Sequence, residues 1–465
     1  MPDSRKRLAD GAFLLALIVY MLIGTPQVPA HSDEYMQMAM ARDWFALRRG
    51  DLDTITYREA PGLLAQADPY MHLRLVNGVI DKYLIGLIWE LDGRREADLP
   101  GIYIWEQPFE WNVARGNVPA DDAVLLARWP SAILVALGVI PMFALGWHLR
   151  LRSLAYPAAL LYALHPAILI NGRRAMMEGG LILFSLAAMA WLVALIFAEH
   201  SATASGFVRR LPAAARYTVL GLLIGLTVAA KYSGIIVAGA ALSAALTAGL
   251  VRDRSWRRPL APLARVGWAA GVALLVWFAL NPAHWRDPSG ALRAMLSERA
   301  WLLETQAQGS PLTYTSAIQS LEALIIEPFL TAPQYYEAPT WAEVLNADVG
   351  AYQRSAVNGW DWGPVIGLIL TGLALIGLVA LVYDALHRDL IAWAILAWAG
   401  AAVVGSLPIP FAWQRYYLPL TLVAIVLAAE GLGRLLVRRS EAPAQASRSE
   451  TPPHLQPRLE GIDHG

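Results

Sequence analysis

Long apolar stretches alternate with short polar ones along most of the chain. Ten apolar stretches carry few charges; they span 11–28, 130–147, 152–170, 180–199, 217–231, 233–250, 265–282, 363–384, 389–408 and 416–436. Each is close to the length that an α-helix needs to cross a hydrocarbon core of about 30 Å. The pattern therefore predicts an all-α polytopic membrane protein with about ten transmembrane helices.

Two long polar segments interrupt this pattern, and we call them the first polar segment (29–122) and the second polar segment (283–361). Residues 72–91 of the first have apolar positions at helical spacing, which predicts one amphipathic helix on the membrane surface or on a soluble subdomain. We divide the chain into an integral membrane domain, 1–439, and a tail, 440–465. The Pro-, Ser- and Glu-rich composition of the tail predicts disorder in the cytoplasm.

The placement of arginine predicts the orientation. Short loops on one side are basic, as in "HLRLRS" and "VRDRSWRRPLAPLAR", and such loops remain in the cytoplasm. Both termini then lie in the cytoplasm, and both polar segments lie outside a prokaryotic plasma membrane. The N-terminal "SRKR" before an apolar run also fits a cleaved secretory signal, and this alternative stays open.

The composition excludes several kinds of site and partner. The 465 residues carry a formal net charge of zero, which argues against binding to nucleic acid. The chain contains no cysteine, so it has no disulfide, no thiolate metal site and no cysteine nucleophile.

Ionisable residues gather at the ends of the spans that face the polar segments. They include Asp33 and Glu34 after the first span, "NGRRAMMEGG" after the third, "AAKYSG" after the fifth and "FAWQRYYLPL" before the last. Charges at a membrane boundary are costly, which makes them functional candidates. Apart from Lys6, the chain has two lysines, Lys82 and Lys231, and lysine is a compact charge that commonly binds phosphate.

Cations and carboxylates at an outer membrane surface suit a reaction at a lipid phosphate. The chain has no glycine-rich phosphate loop, and nucleotide-activated sugars stay in the cytoplasm, whereas a lipid-linked phosphosugar enters from the bilayer. Cations would hold its phosphate, and a carboxylate would deprotonate an acceptor hydroxyl. The structural alternative is that Ser32 or Asp33 caps a helix that starts near Tyr35.

The order of these motifs resembles that of the GT-C glycosyltransferases. The nearest branches are the dolichyl-phosphate-mannose–protein mannosyltransferases and the bacterial aminoarabinose transferases of lipid A. The resemblance covers most of residues 10–436 and rests on the early "DE", "RWPSAIL", "NGRRAMMEGGLILFSL", "KYSG" and "QRYYLPL". The family's His-Pro-Pro ahead of the surface-helix lysine is absent, and Glu178 stands where the family has Asp.

The resemblance implies an inverting transfer from a polyprenyl-phosphate sugar to a hydroxyl on the extracytoplasmic face. The acceptor would be a protein, a glycolipid or a cell-wall polymer. Asp33 is then the catalytic base, and Glu34 or Glu178 orients it or the acceptor. Five cations are implied in binding the donor phosphate: Lys82, Arg173, Arg174, Lys231 and Arg415.

The resemblance also implies that the reaction needs no metal ion or other cofactor. The "DLD" at Asp51–Asp53 matches the motif of metal-dependent glycosyltransferases, so a divalent cation stays open. Two other functions stay open as well, a transporter or flippase of lipid-linked sugars and a noncatalytic relative. Transporters typically show internal repeats and broken helices in matching positions, and inspection of this sequence reveals no repeat.

The predicted orientation can be tested with fusions of paired reporters. A reporter active outside the cytoplasm should work when it is fused after Gly93, and one active in the cytoplasm should work after Arg439. The opposite pattern at either position would reverse the side on which the polar segments lie.

Overall fold

The structure is a computed structural model that describes residues 3–59, 62–149, 152–200, 207–252, 260–338 and 341–446. Most of these residues are helical, and none of them forms a β-strand beyond one isolated bridge between Thr313 and Phe411. The predicted disordered tail falls outside the described residues from 447 onward, while residues 440–446 continue the last helix.

The helices before and within the first polar segment are α1 (Asp3–Ile23), α2 (Ser32–Met40), α3 (Arg42–Arg49), α4 (Leu52–Ile55), α5 (Leu64–Ala67), α6 (Pro69–Val76), α7 (Ile80–Leu91) and α8 (Phe109–Ala114). The helices of the central apolar region are α9 (Asp121–Leu137), α10 (Val139–Trp147), α11 (Ala155–Leu164), α12 (Pro166–Gly172), α13 (Glu178–His200), α14 (Phe207–Arg210), α15 (Ala213–Ala230), α16 (Ile235–Arg252) and α17 (Leu260–Leu280). The second polar segment contains α18 (Pro288–Gly309), α19 (Ala317–Ile326) and α20 (Trp341–Gln353), and the chain continues through α21 (Gly363–Leu386), α22 (Leu390–Ser406) and α23 (Leu418–Ala446).

Within the described part of the chain, eight helices are long and apolar enough to cross a membrane: Lys6–Gln27, Asp121–Trp147, Glu178–His200, Ala213–Ala230, Tyr232–Arg252, Leu260–Leu280, Gly363–Leu386 and Gln414–Leu436. Arg152–Leu164 and Pro166–Gly172 are bent by 57° at the break between them, and the number rises to nine if this bent pair is counted as one span. Leu390–Ser406 is apolar but has 17 residues, so the predicted number of ten is approximate. Every predicted apolar stretch coincides with a helix, and the chain is a multi-pass membrane protein.

Small residues let the spans pack closely. A Cβ added to Gly377 of α21 would lie 2.0 Å from the carbonyl oxygen of Leu427, and one added to Gly431 of α23 would lie 1.9 Å from that of Leu373. The two helix backbones therefore touch at two successive glycine contacts, as is common where membrane helices associate through small side chains. The buried core around α13 also contains many alanines, for the same physical reason.

The two polar segments pack against each other through an aromatic core. Tyr35, Trp89 and Tyr103 of the first segment are buried in one cluster with Trp341 and Tyr352 of the second. Burial of large aromatic side chains contributes both apolar area and edge-to-face contacts. The segments therefore form one folded layer over the ends of the spans.

The amphipathic helix predicted at 72–91 is two helices, α6 and α7, separated by Asn77, Gly78 and Val79. The prediction of one surface helix is wrong because the end of α15 lies against this break. The Val79 N–H donates to the Ala229 carbonyl oxygen at 2.8 Å, and a Cβ on Gly78 would lie 1.9 Å from the Ala230 carbonyl oxygen. Asp81 and Lys82 of α7 are consequently buried in the protein.

Gly78→Ala should destabilise the protein by about 1–3 kcal/mol, because the clash is with backbone atoms that cannot rotate away. Thermal unfolding in detergent micelles would measure the loss. Gly239→Ala is the matched control, since a Cβ at Gly239 meets nothing within 4 Å. Equal unfolding temperatures for the two variants would contradict the close contact between the first polar segment and α15.

Candidate functional site

A cavity of about 690 Å³ lies where the two polar segments meet the ends of α13, α15 and α23. Its wall includes one carboxylate at the start of α2, Asp33, and one at the start of α13, Glu178. Lys231 and Arg415 also line it. The structure thus brings together four of the eight site residues predicted from the sequence.

The start of α2 determines where Asp33 points. The helix begins at Ser32, and His31 is its N-cap: His31 Nδ1 accepts a hydrogen bond from the Asp33 N–H at 3.1 Å, and Glu34 accepts one from the His31 N–H at 3.0 Å. This reciprocal arrangement is a capping box. The alternative that Ser32 or Asp33 caps a helix starting near Tyr35 is wrong. The Asp33 side chain is 30% exposed and lines the cavity.

Arg415 lies between two carboxylates. It forms an ion pair with Asp33, and its Nε lies 3.0 Å from Glu337 Oε1. Glu337 Oε2 in turn lies 2.6 Å from His31 Nε2. These contacts link α2, the second polar segment and the chain just before α23 in one network.

This network keeps Asp33 and Glu337 ionised at neutral pH. Burial is the largest influence and raises the pKa of both carboxyl groups, but Arg415, His31 and the hydrogen bonds to these carboxylates together outweigh it and leave both pKa values below their usual range. Asp33 is therefore a deprotonated carboxylate facing the cavity, as a general base requires.

Three cations surround one aromatic ring at another part of the wall. Lys231 Nζ lies 5.2 Å from the centre of the Tyr416 ring, and the guanidinium carbons of Arg415 and Arg299 lie 5.5 Å and 5.9 Å from it. Lys231 is also 2.6 Å from the Glu178 carboxylate, which is buried. Three cations thus lie together around Tyr416 on the cavity wall, which suits an anionic group such as a phosphate.

Glu34 does not line the cavity. It is fully buried, and Arg128 of α9 donates to its two oxygens at 2.7 Å and 2.8 Å. The Ala175 N–H donates to it as well, at 2.9 Å. Of the adjacent carboxylates "DE", one therefore faces the cavity and the other anchors α2 to the protein.

Lys82 is also away from the cavity wall. Its ammonium group lies 2.7 Å from Asp43 Oδ2, and Arg74 binds the same carboxylate through Nε and Nη2. All three side chains are buried. Lys82 thus forms an internal ion pair between α3 and α7. The sequence predicts instead that Lys82 contacts the donor phosphate.

Arg173 and Arg174 are buried and bind chiefly carbonyl oxygens. Arg173 donates to the Met21 carbonyl oxygen and the Tyr352 hydroxyl, both at 2.7 Å. Arg174 donates to the carbonyl oxygen of Pro29 at 3.1 Å and to that of Tyr335 at 2.7 Å. Arg173 therefore ties the end of α12 to α1 and to the second polar segment, and Arg174 binds both polar segments; neither arginine lines the cavity.

The sequence reasoning missed three cavity residues, His31, Glu337 and Arg299. Glu337 is the single carboxylate within the aromatic stretch "QYYEAPTW", which carries no recognisable site motif. The "DLD" aspartates lie outside the cavity wall: Asp51 caps α4, and Asp53 pairs with Arg286. Within the described residues, no group of three or more His, Asp or Glu side chains is arranged to hold a metal ion.

Comparisons with known proteins support the resemblance seen in the sequence. The model of the family described as dolichyl-phosphate-mannose-protein mannosyltransferase matches residues 75–259. No match was found among curated proteins. The archaeal oligosaccharyltransferase AglB from Archaeoglobus fulgidus, solved with an inhibitory peptide and a dolichol-phosphate, is 14% identical with a TM-score of 0.52. The match covers 96% of this chain and 53% of AglB.

Two further solved structures are similar at lower TM-scores. ArnT from Cupriavidus metallidurans, bound to undecaprenyl phosphate, is 14% identical over 91% of this chain and 60% of its own, with a TM-score of 0.49. The S. cerevisiae protein O-mannosyltransferase Pmt1–Pmt2 complex, bound to the sugar donor, is 16% identical over 61% and 34%, with a TM-score of 0.40.

The fold is accordingly that of the GT-C glycosyltransferases, as the order of the motifs predicts. The AglB match carries this conclusion, because it extends over nearly the whole of this chain. The chain spans only about half the length of AglB.

Lys82→Met should lower the free energy of unfolding by about 2 kcal/mol, because the buried Asp43 loses one of its two charged partners. Arg48→Met is the matched control: Arg48 pairs with Glu90 and joins the same two helices, α3 and α7, but its side chain is 55% exposed. An exposed pair contributes about 0–1 kcal/mol. Thermal unfolding of both variants in detergent would measure the difference. An unchanged midpoint for Lys82→Met would show that the internal ion pair is not a structural tie.

Proposed function

We propose that the chain transfers a sugar from a polyprenyl-phosphate donor to an acceptor hydroxyl, with inversion at the sugar carbon and with Asp33 as the general base. One observation carries the proposal: an ionised carboxylate and a group of three cations line the same cavity. The family description and the lipid phosphates present in the AglB and ArnT structures support the class of donor.

The cations around Tyr416 would bind the donor phosphate. Lys231, Arg299 and Arg415 all line the cavity, and Glu178 holds Lys231 in place. Charge-assisted contacts to a phosphate are strong where water is scarce. In this proposal these cations supply the positive charge that a metal ion supplies in metal-dependent glycosyltransferases.

The reaction would be a single displacement. The acceptor oxygen attacks the anomeric carbon as its proton moves to Asp33. The bond between that carbon and the phosphate oxygen breaks, and its electron pair leaves with the polyprenyl phosphate. The cations stabilise the charge that develops on the leaving phosphate, which is the differential stabilisation that accelerates a reaction.

The basic loops indicate on which side of the membrane the cavity opens. We propose that the cavity opens on the extracytoplasmic face of the plasma membrane, where a lipid-linked donor is accessible. The acceptor would be a protein, a glycolipid or a cell-wall polymer. Mass spectrometry of glycoproteins and glycolipids from a strain lacking the protein would distinguish the three.

Asp33→Asn should reduce sugar transfer by about 10²- to 10⁴-fold while donor binding remains, because the amide keeps the shape of the carboxylate but cannot accept the proton. Transfer would be measured in proteoliposomes with radiolabelled polyprenyl-phosphate mannose and a membrane extract as acceptor. Lys231→Met should instead weaken donor binding about ten- to a hundredfold.

Asp53→Asn is the matched control and should transfer at the parental rate, since Asp53 is exposed and lies outside the cavity. An Asp33→Asn protein that folds, binds donor and transfers sugar at the parental rate would refute the role of Asp33. Movement of the labelled lipid across the bilayer without turnover would favour the transporter or flippase instead.

A further inference from the structure

Arg415 serves two carboxylates that differ in exposure and in surroundings. The Arg415 Nη1 faces Asp33, and its Nε lies 3.0 Å from Glu337 Oε1. The Asp33 side chain is 30% exposed, whereas that of Glu337 is 10% exposed. One positive charge is thus divided between a carboxylate that opens into the cavity and one that is largely enclosed.

His31 fixes the position of Glu337. Its Nδ1 accepts a hydrogen bond from the Asp33 N–H, so the ring proton of a neutral His31 lies on Nε2. That Nε2 lies 2.6 Å from Glu337 Oε2 and donates to it. His31 is itself held as the cap of α2, so Glu337 is attached to the same helix start that carries Asp33.

We infer that Glu337 is a positioning residue that acts through Arg415. By pairing with the Arg415 guanidinium group, Glu337 weakens the attraction between Arg415 and Asp33 and so keeps Asp33 basic enough to accept a proton. This inference rests on the proposed function, because it assumes that Asp33 is the base. A base that is bound too strongly by a cation is a weak proton acceptor, so a competing carboxylate is an advantage at this site.

The charges around Asp33 support this role. The groups that act on Asp33 are Arg415 and His31, which lower its pKa, and Glu337, which raises it along with burial. Glu337 also faces Arg174, whose positive charge keeps Glu337 ionised together with Arg415 and His31. Glu337 is therefore a fixed negative charge near Asp33.

Glu337→Gln tests the inference because glutamine keeps the shape of the side chain and removes its charge. The titration of Asp33 would be followed by infrared difference spectroscopy of the carboxyl band, assigned by its loss in Asp33→Asn. We expect the titration midpoint of Asp33 to move to lower pH, because the like charge that raises it is gone. The acidic limb of the pH profile of kcat/KM should move in the same direction.

If the role of Glu337 is purely structural, the titration midpoint of Asp33 should shift in the opposite direction. If Glu337 only held Arg415 in place, its loss would free Arg415 from Asp33, and the midpoint would rise toward that of an ordinary carboxyl group. An unchanged or raised midpoint would overturn the inference. Glu106→Gln is the matched control, a carboxylate on the same cavity wall that is absent from the interactions acting on Asp33. It should leave the midpoint in place.

Two further readouts keep the test decisive. Glu337→Asp retains the charge and should keep the midpoint near the parental value, so a clear rise in this variant would overturn the inference if Glu337→Gln does not fold. The infrared titration needs no donor, so its outcome is independent of whether the protein transfers sugar. A shifted midpoint without any transfer by the parent would refute the proposed function and leave the role of Glu337 intact.

Discussion

The site depends on the hydrogen bonds that the buried carboxylate of Glu34 accepts. Its two oxygens accept hydrogen bonds from Arg128, from the backbone of His31 and from the backbone of Ala175. These contacts join the start of α2 to α9 and to the chain just before α13. A charged pair with all its hydrogen bonds made is tolerated in the interior, but loss of one partner leaves a buried charge, at a cost of about 3–5 kcal/mol. The direction in which Asp33 faces follows from this anchor.

The charged residues at the ends of the spans divide into two groups. Arg173 and Arg174 are buried against carbonyl oxygens and hold the bent pair of helices to neighbouring parts of the chain, and Lys82 is buried in an ion pair within the first polar segment. Lys231 and Arg415 line the cavity. Burial alone does not distinguish the structural charges from those of the cavity, because Arg415 is buried as well. Their position on or away from the cavity wall distinguishes them.

The spans could be predicted from the sequence because apolar length is a local property of the chain. Asp33, Glu178, Lys231 and Arg415 could be predicted because each lies in a recognisable motif at a span end. The break at Gly78 could not be predicted, because it is caused by the backbone of Ala230, which lies far along the chain. The ion pair of Lys82 could not be predicted for the same reason: its partner Asp43 lies 39 residues earlier, and no spacing rule relates the two. Glu337 lies in no recognisable motif. Its place at the site is apparent only from its contacts with Arg415 and His31.

The contact between Asp33 and Arg415 joins residues 382 positions apart in the sequence. Asp33 is synthesised 382 residues before Arg415, so the carboxylate has no counter-ion from Arg415 while the chain between them is made. During that period it must remain hydrated, which the exposed start of a short helix permits and the interior of a span does not. Insertion of the span Gln414–Leu436 therefore completes the cavity wall, and a nascent chain that lacks this span carries Asp33 without Arg415.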